Sequence, residues 1–201
     1  MPVSTYFKKM ITKFKHIGLI VGLLIVIFSF LFFGRNQGAY LILILLGLLI
    51  SLIFYLVILF SRETIKTKII WTIILIMSII IQWITEPFLT RCSYLIFLSC
   101  HKTELSSVNN ILINKPNDIS ILNDNINDKS DNLTESEKDK LLSLRQKLKV
   151  YTIIKSDNEI YYGLWGFLDI RIGIIYWLND TKPDDSYHVL RENWYLNLKN
   201  N

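Results

Sequence analysis

Cysteine is scarce in this chain. Cys92 and Cys100 are its only two, too few for a disulfide framework and without the CxxC spacing that zinc binding or thiol redox chemistry requires. Both read as small apolar residues within a hydrophobic stretch. In the polar half, His101 and His188 stand far apart, with no HxxxH or HExxH arrangement to form a ligand set or a paired base. Neither GxSxG, nor a phosphate-binding P-loop, nor GxGxxG occurs. An EF-hand reading of Asp124, Asp128 and Asp131 fails because the required glycine and terminal glutamate are missing. These absences predict no catalytic residue, no metal site and no cofactor.

Charge is missing from three long runs, 17–33, 39–60 and 69–84. Each has about the length a helix needs to cross the hydrocarbon layer. Transmembrane helices are therefore expected at 17–33, 39–60 and 69–86. The linker of residues 34–38 is so short that the first two must fold back as an antiparallel hairpin. Gln82, Glu86 and then Pro87 mark the outer end of the third span. The apolar run 93–100 reads either as an extension of that helix or, by the favoured expectation, as the first strand of a following domain.

What charge there is lies unevenly. Residues 1–100 hold nine Lys/Arg against Glu63 and Glu86, a net +7 that leaves −2 of the chain's +5 for the second half. The excess sits beside the apolar runs, where topology explains it. No basic stripe interleaved with aromatics appears in the polar half, so nucleic acid is not an expected partner. Lys8, Lys9, Lys13 and Lys15 precede the first span, Arg62, Lys66 and Lys68 follow the second, and Arg35 alone occupies the first loop. The asymmetry predicts a cytoplasmic amino terminus in an inner (cytoplasmic) membrane, with the polar half outside the cytoplasm. Within residues 1–16, Phe7, Met10, Ile11 and Phe14 share one helical face opposite lysines, the pattern of a basic amphipathic helix on the inner leaflet. The lipid bilayer is thus the first expected partner.

Small residues recur at helix-packing spacing. Gly18 and Gly22 in the first span and Gly47 and Ser51 in the second allow close backbone approach. Counting inward from the linker puts Gly22 near the depth of Ser51, so packing inside the hairpin is the favoured reading and homodimerisation the alternative. Nothing in the sequence specifies the oligomeric state.

The polar half reads as a small α+β domain with an antiparallel sheet, residues 93–201. Leu105, Val108, Ile111 and Leu112 lie at helical spacing before Pro116. Residues 117–133, rich in Asn and Asp, suggest a mobile loop with one short strand. Thr134 and Glu137 form a capping box opening a second helix through about Lys149, with Leu141, Leu144 and Leu148 on its buried face. Two helices against four or five strands are expected, enough for a core of their own.

One stretch decides between span and sheet: IYYGLWGFLDIRIGIIYWLND, residues 160–180. As a membrane helix it would place Asp169 and Arg171 near the bilayer centre, at about 2.5–3.5 kcal/mol each. Gly163, Gly166 and Gly173 would weaken such a helix further. As a hairpin bent near 168–170 it puts Asp169 at the bend, Arg171 outward, and Ile172, Ile174, Tyr176 and Leu178 inward. The hairpin is the expectation.

GLWGFLDIRIGIIY followed by ENWY resembles the carboxy-terminal end of small, uncharacterised exported or lipoprotein-type domains of bacteria, which also carry a capped helix before the sheet. The likeness covers roughly residues 101–201. It implies a location outside the cytoplasm and no particular activity.

Candidate binding residues are Trp165, Trp177, Trp194, Tyr195, Arg171 and Arg191, aromatics and guanidinium groups of the kind that anchor contact surfaces. The composition favours a membrane-anchored accessory or interaction module meeting a protein partner at the outer face. The alternative is a component of an integral membrane enzyme or transporter, with Glu86, Cys100 and His101 near the outer interface.

Overall fold

The computed structural model describes residues 3–32, 37–116, 119–128, 131–167, 170–179 and 187–197. The chain divides into two compact units, Met1–Ser93 and Tyr94–Asn201.

In the first unit, α1 (Val3–Ser29) continues into a single 3-10 turn (Phe30–Phe32), followed by α2 (Gln37–Leu59) and the start of α3 (Ile65–Cys100). Among the described residues, three segments are long and apolar enough to cross a membrane: Phe14–Phe32, Gly38–Phe60 and Ile65–Cys100. The amino-terminal basic segment is helical and runs without a break into the first apolar stretch. No proline or glycine between Thr5 and Ile17 gives the chain a reason to break there. Side chains before residue 14 lie outside the described ones.

Helix α3 overrides the expected stop at Pro87 and runs on to Cys100. Residues 93–100 are therefore helical, not a strand. At 1.5 Å per residue the 36 residues of α3 span about 54 Å, well beyond a hydrocarbon layer of about 30 Å. Proline removes one amide donor from the helical ladder. In the preceding turn the Thr85 hydroxyl donates to the carbonyl of Ile81 at 2.9 Å. The same device recurs in the apolar helices, where Ser29 donates to Val26 O (2.6 Å), Thr72 to Lys68 O (2.9 Å) and Ser78 to Leu75 O (2.7 Å). A hydroxyl that bonds its own helix can sit among apolar residues without an unsatisfied group.

The second unit contains the last turns of α3, α4 (Lys102–Leu112), α5 (Glu135–Leu148) and one seven-stranded sheet. The strands are β1 (Ile119–Leu122), β2 (Asn125–Asp128), β3 (Thr152–Lys155), β4 (Glu159–Phe167), β5 (Ile170–Trp177), β6 (His188–Arg191) and β7 (Trp194–Asn197). Their spatial order is β2-β1-β3-β4-β5-β7-β6, with every neighbouring pair antiparallel. Segment 160–177 is thus the central hairpin of a sheet and not a fourth span. Its bend, residues 168 and 169, lies outside the described residues.

Among the described residues seven strands replace the expected four or five, because each edge of the sheet carries a short hairpin partner, β2 on one side and β6 on the other. Residues 119–128, expected as a single strand within a loop, form the β1–β2 hairpin, turned by Asn123 at φ 51°. A matching hairpin joins β6 to β7, turned by Asn193 at φ 56°. Asparagine tolerates this left-handed region better than most residues.

Across the register, Ile153, Tyr162, Ile174 and Leu196 form one buried row. The alternate positions Tyr161 and Ile175 are buried as well, so the centre of the sheet is covered on both faces rather than only on the expected one. Gly163 and Gly173 face each other on β4 and β5. The Tyr161 ring lies across both: a Cβ on Gly163 would come within 3.2 Å of it, and one on Gly173 would collide with that ring and with the Tyr162 carbonyl. Glycine is what lets the tyrosine lie flat over the sheet.

Helix α5 begins with the capping box that Thr134 and Glu137 announce. Thr134 Oγ1 accepts from the Glu137 amide, and the Glu137 carboxylate accepts from the Thr134 amide at 2.9 Å. Lys115, just past α4, pairs with the same carboxylate at 2.9 Å. This Lys115 bond and the cap hold the Glu137 carboxyl below its ordinary range. Leu141, Leu144 and Leu148 are buried, as their spacing requires.

Candidate functional site

The small residues of the first unit do meet within the helical hairpin. A Cβ added to Gly22 would lie 2.5 Å from Ser51 Oγ and 3.0 Å from the Gly47 carbonyl. One added to Gly47 would lie 2.9 Å from the Gly22 carbonyl, and one on Gly18 would enter the Phe54 ring. Backbone therefore approaches backbone at Gly22 and Gly47, with Ser51 closing the contact. Near the same unit's α2–α3 connection, Lys15 pairs with Glu63, both side chains largely buried, while His16 Nε2 stands 3.4 Å from that carboxylate. The His16 ring stacks on Trp71, centroids 4.4 Å apart. Burial opposes the charged carboxylate, but Lys15 and His16 outweigh it and keep Glu63 below its ordinary value. Tyr55 and Thr72 share a 3.1 Å hydrogen bond from α2 to α3.

In the second unit, residues 102, 105, 106, 109, 110 and 113 repeat at three- and four-residue steps, so one face of α4 and its end forms a wall. That wall borders a groove of about 320 Å³. Tyr176 of β5 and Trp194 of β7 supply the opposite, aromatic side, and the β6–β7 turn closes one rim with Arg191 and Glu192. The two rings meet at a tilt, centroids 5.0 Å apart, and Trp194 also meets Tyr162 at 5.6 Å. Pairing of β7 with β5 produces this: Trp194 stands opposite Tyr176 in the register, and directly opposed aromatics interact.

Asn109 is the polar group at depth, 5 % exposed. The Tyr162 hydroxyl donates to its Oδ1 at 2.6 Å. Burial raises the Tyr162 pKa well above the usual phenol value, so this donor keeps its proton. With its oxygen engaged, the amide nitrogen is the part of Asn109 left for the groove it lines. Among the described residues it has no acceptor. Lys102 and Arg191 likewise form no ion pair among the described residues, and both are exposed. The arrangement can therefore hold an apolar group on its aromatic side and an anionic or acceptor end on its donors.

Two of the six binding residues suggested by the sequence, Trp194 and Arg191, come together here. Trp177 does not; it is half-buried, with its ring 6.1 Å from Tyr187. Tyr195, one residue on from Trp194, points to the other sheet face, in register with Ile175 and Val189. Trp165 and Arg171 occupy β4 and β5 opposite Ile172 and Gly166, but their side chains lie outside the described ones, as does Asp169 altogether. Of the polar residues near the end of the third span, Glu86 and Cys100 are exposed and His101 packs on Phe97 at 4.8 Å. No three His, Cys, Asp or Glu side chains gather as a metal site among the described residues. Sequence reasoning missed Asn109, Tyr176 and Lys102; an asparagine at the otherwise apolar step from Leu105 to Leu112 was the available signal.

No protein-family model, curated protein or solved structure matches this chain.

Proposed function

We propose that this chain is a membrane-anchored interaction module. Its three apolar helices span an inner membrane with the amino terminus in the cytoplasm, and its α+β domain, outside the cytoplasm, offers the groove beside α4 to a protein partner. The observation that carries this reading is the joining of two features in one chain: helices long and apolar enough to span, and a domain with an open groove backed by aromatics and rimmed by Lys102 and Arg191. Lysines and arginines flanking the apolar runs support the orientation. The likeness of the 163–195 segment to exported bacterial domains points the same way.

The test has two arms. In a Cys92→Ala, Cys100→Ser background, a cysteine introduced by Ser136→Cys on the exposed start of α5 should react with a membrane-impermeant maleimide in intact cells. Labelling only after lysis would reverse the orientation. In the second arm, in-cell crosslinking followed by detergent purification should recover a stoichiometric partner that Trp194→Ala loses. Capture unaffected by that substitution would remove the groove from the interface.

A further inference from the structure

Resting on the reading of the groove as a partner site, we infer that its occupant is the carboxy-terminal apolar residue of a partner polypeptide, its free carboxylate held by Asn109, Lys102 and Arg191 and its side chain laid on Trp194 and Tyr176. The groove's volume, about 320 Å³, is at the small end of ligand sites and suits one large residue with part of its neighbour. It is not closed over: Lys102, Ser106, Asn110 and Ile113 along the α4 rim are exposed, leaving a path for a chain to continue outward. A small molecule held for its own sake is usually covered over most of its surface.

The donors define which end of a chain fits. Asn109 offers a buried amide whose orientation is set by the Tyr162 hydroxyl on its oxygen, so the groove presents N–H and not C=O at its base. A donor held in this orientation at the floor of an open groove is matched by an acceptor on whatever occupies it. Lys102 on α4 and Arg191 at the end of β6 add two positive charges from separate elements, against Glu192 alone. A carboxylate answers both the Asn109 N–H and the positive charge at the rim, and capture of a terminal carboxylate is a recurring mode of peptide recognition. Charge at that end and an aromatic bed beside it describe a terminal Phe, Leu or similar residue.

The probes are N-acetyl-Ala-Phe as the free acid, its carboxamide, and phenylacetate, titrated by calorimetry into the full chain in detergent micelles. The free acid should bind at least about tenfold more tightly than the carboxamide. Arg191→Gln, at the exposed end of β6, should erase most of that difference, and Asn109→Leu should do the same if it folds. Equal binding of acid and carboxamide, or indifference to Arg191→Gln, overturns the carboxylate assignment. Phenylacetate binding as tightly as the dipeptide overturns the polypeptide end in favour of a free organic acid. If no probe binds while crosslinked capture still depends on Trp194, this inference fails and the interaction module stands; if capture ignores Trp194, that wider reading fails instead.

Discussion

Tyr162 on β4 and Asn109 on α4, 53 positions apart in the chain, are joined by a 2.6 Å hydrogen bond inside the domain. The bond fixes the helix to the sheet and fixes the asparagine amide in its groove-facing orientation. Tyr162→Phe leaves the buried Asn109 oxygen without its donor and should destabilise the domain by about 1–3 kcal/mol. Replacing both, Tyr162→Phe with Asn109→Leu, should cost less than the sum of the two single changes. Thermal unfolding of the four proteins, followed by near-ultraviolet circular dichroism, gives the coupling; additive effects would mean that the bond contributes nothing.

Packing of the helical hairpin makes a sharper prediction. At Gly22 any side chain meets the backbone of Ser51 at 2.7 Å and the Gly47 carbonyl at 3.0 Å, neither of which can rotate away. Gly22→Leu should therefore force α1 and α2 apart, at about 1–3 kcal/mol or more. Thermal unfolding in detergent micelles, followed by far-ultraviolet circular dichroism, should show Gly22→Leu less stable than the parent. Unchanged stability would place the small-residue face elsewhere than in this contact.

Acid should loosen the first unit at one point. Glu63 has its folded pKa held below its ordinary 4.5 by Lys15 and His16, against the opposing effect of burial. A depressed carboxylate pKa contributes stability that is present above the unfolded value and is lost as pH falls through the folded one. Fluorescence of Trp71, which stacks on His16, should therefore change as pH drops below about 4.5, and Glu63→Gln should abolish that transition. A transition that survives Glu63→Gln would assign it to another group.

The start of α5 offers a local test. Thr134→Ala removes the side chain that accepts from the Glu137 amide at 3.3 Å and should cost about 0.5–2 kcal/mol. Faster hydrogen exchange at residues 135–138 with little change in the central strands is the expected pattern, because cap loss acts on the first turn.

What the sequence made legible is local. The capping box at Thr134 needs only four consecutive residues, and the β4–β5 hairpin follows from two charges and three glycines within a dozen positions. Misreadings came where the signal is weak or distant. Residues 93–100 are a short, uniformly apolar run, which has no period to separate helix from strand, and Pro87 looked like a stop although membrane-type helices tolerate proline. Strand β2, Asn125–Asp128, sits at the sheet edge with alternate positions only half-buried, so a single apolar residue, Ile126, marks it in the sequence. The groove could not be read at all, since it depends on β7 pairing with β5 and on α4 lying beside them. Trp194 and Arg191 stood out by residue type; Asn109 and Lys102 acquire meaning only from the tertiary arrangement.

The groove's two sides come from opposite ends of the domain's sequence, the helix at Lys102–Leu112 and the strand pair ending at Asn197. A ribosome that has made everything up to β5 has already produced one wall and one of the two aromatic rings, yet no groove. The cavity is therefore an all-or-nothing property of the paired sheet, and any lesion that unzips β7 from β5 should abolish it while leaving the apolar helices and most of the core intact.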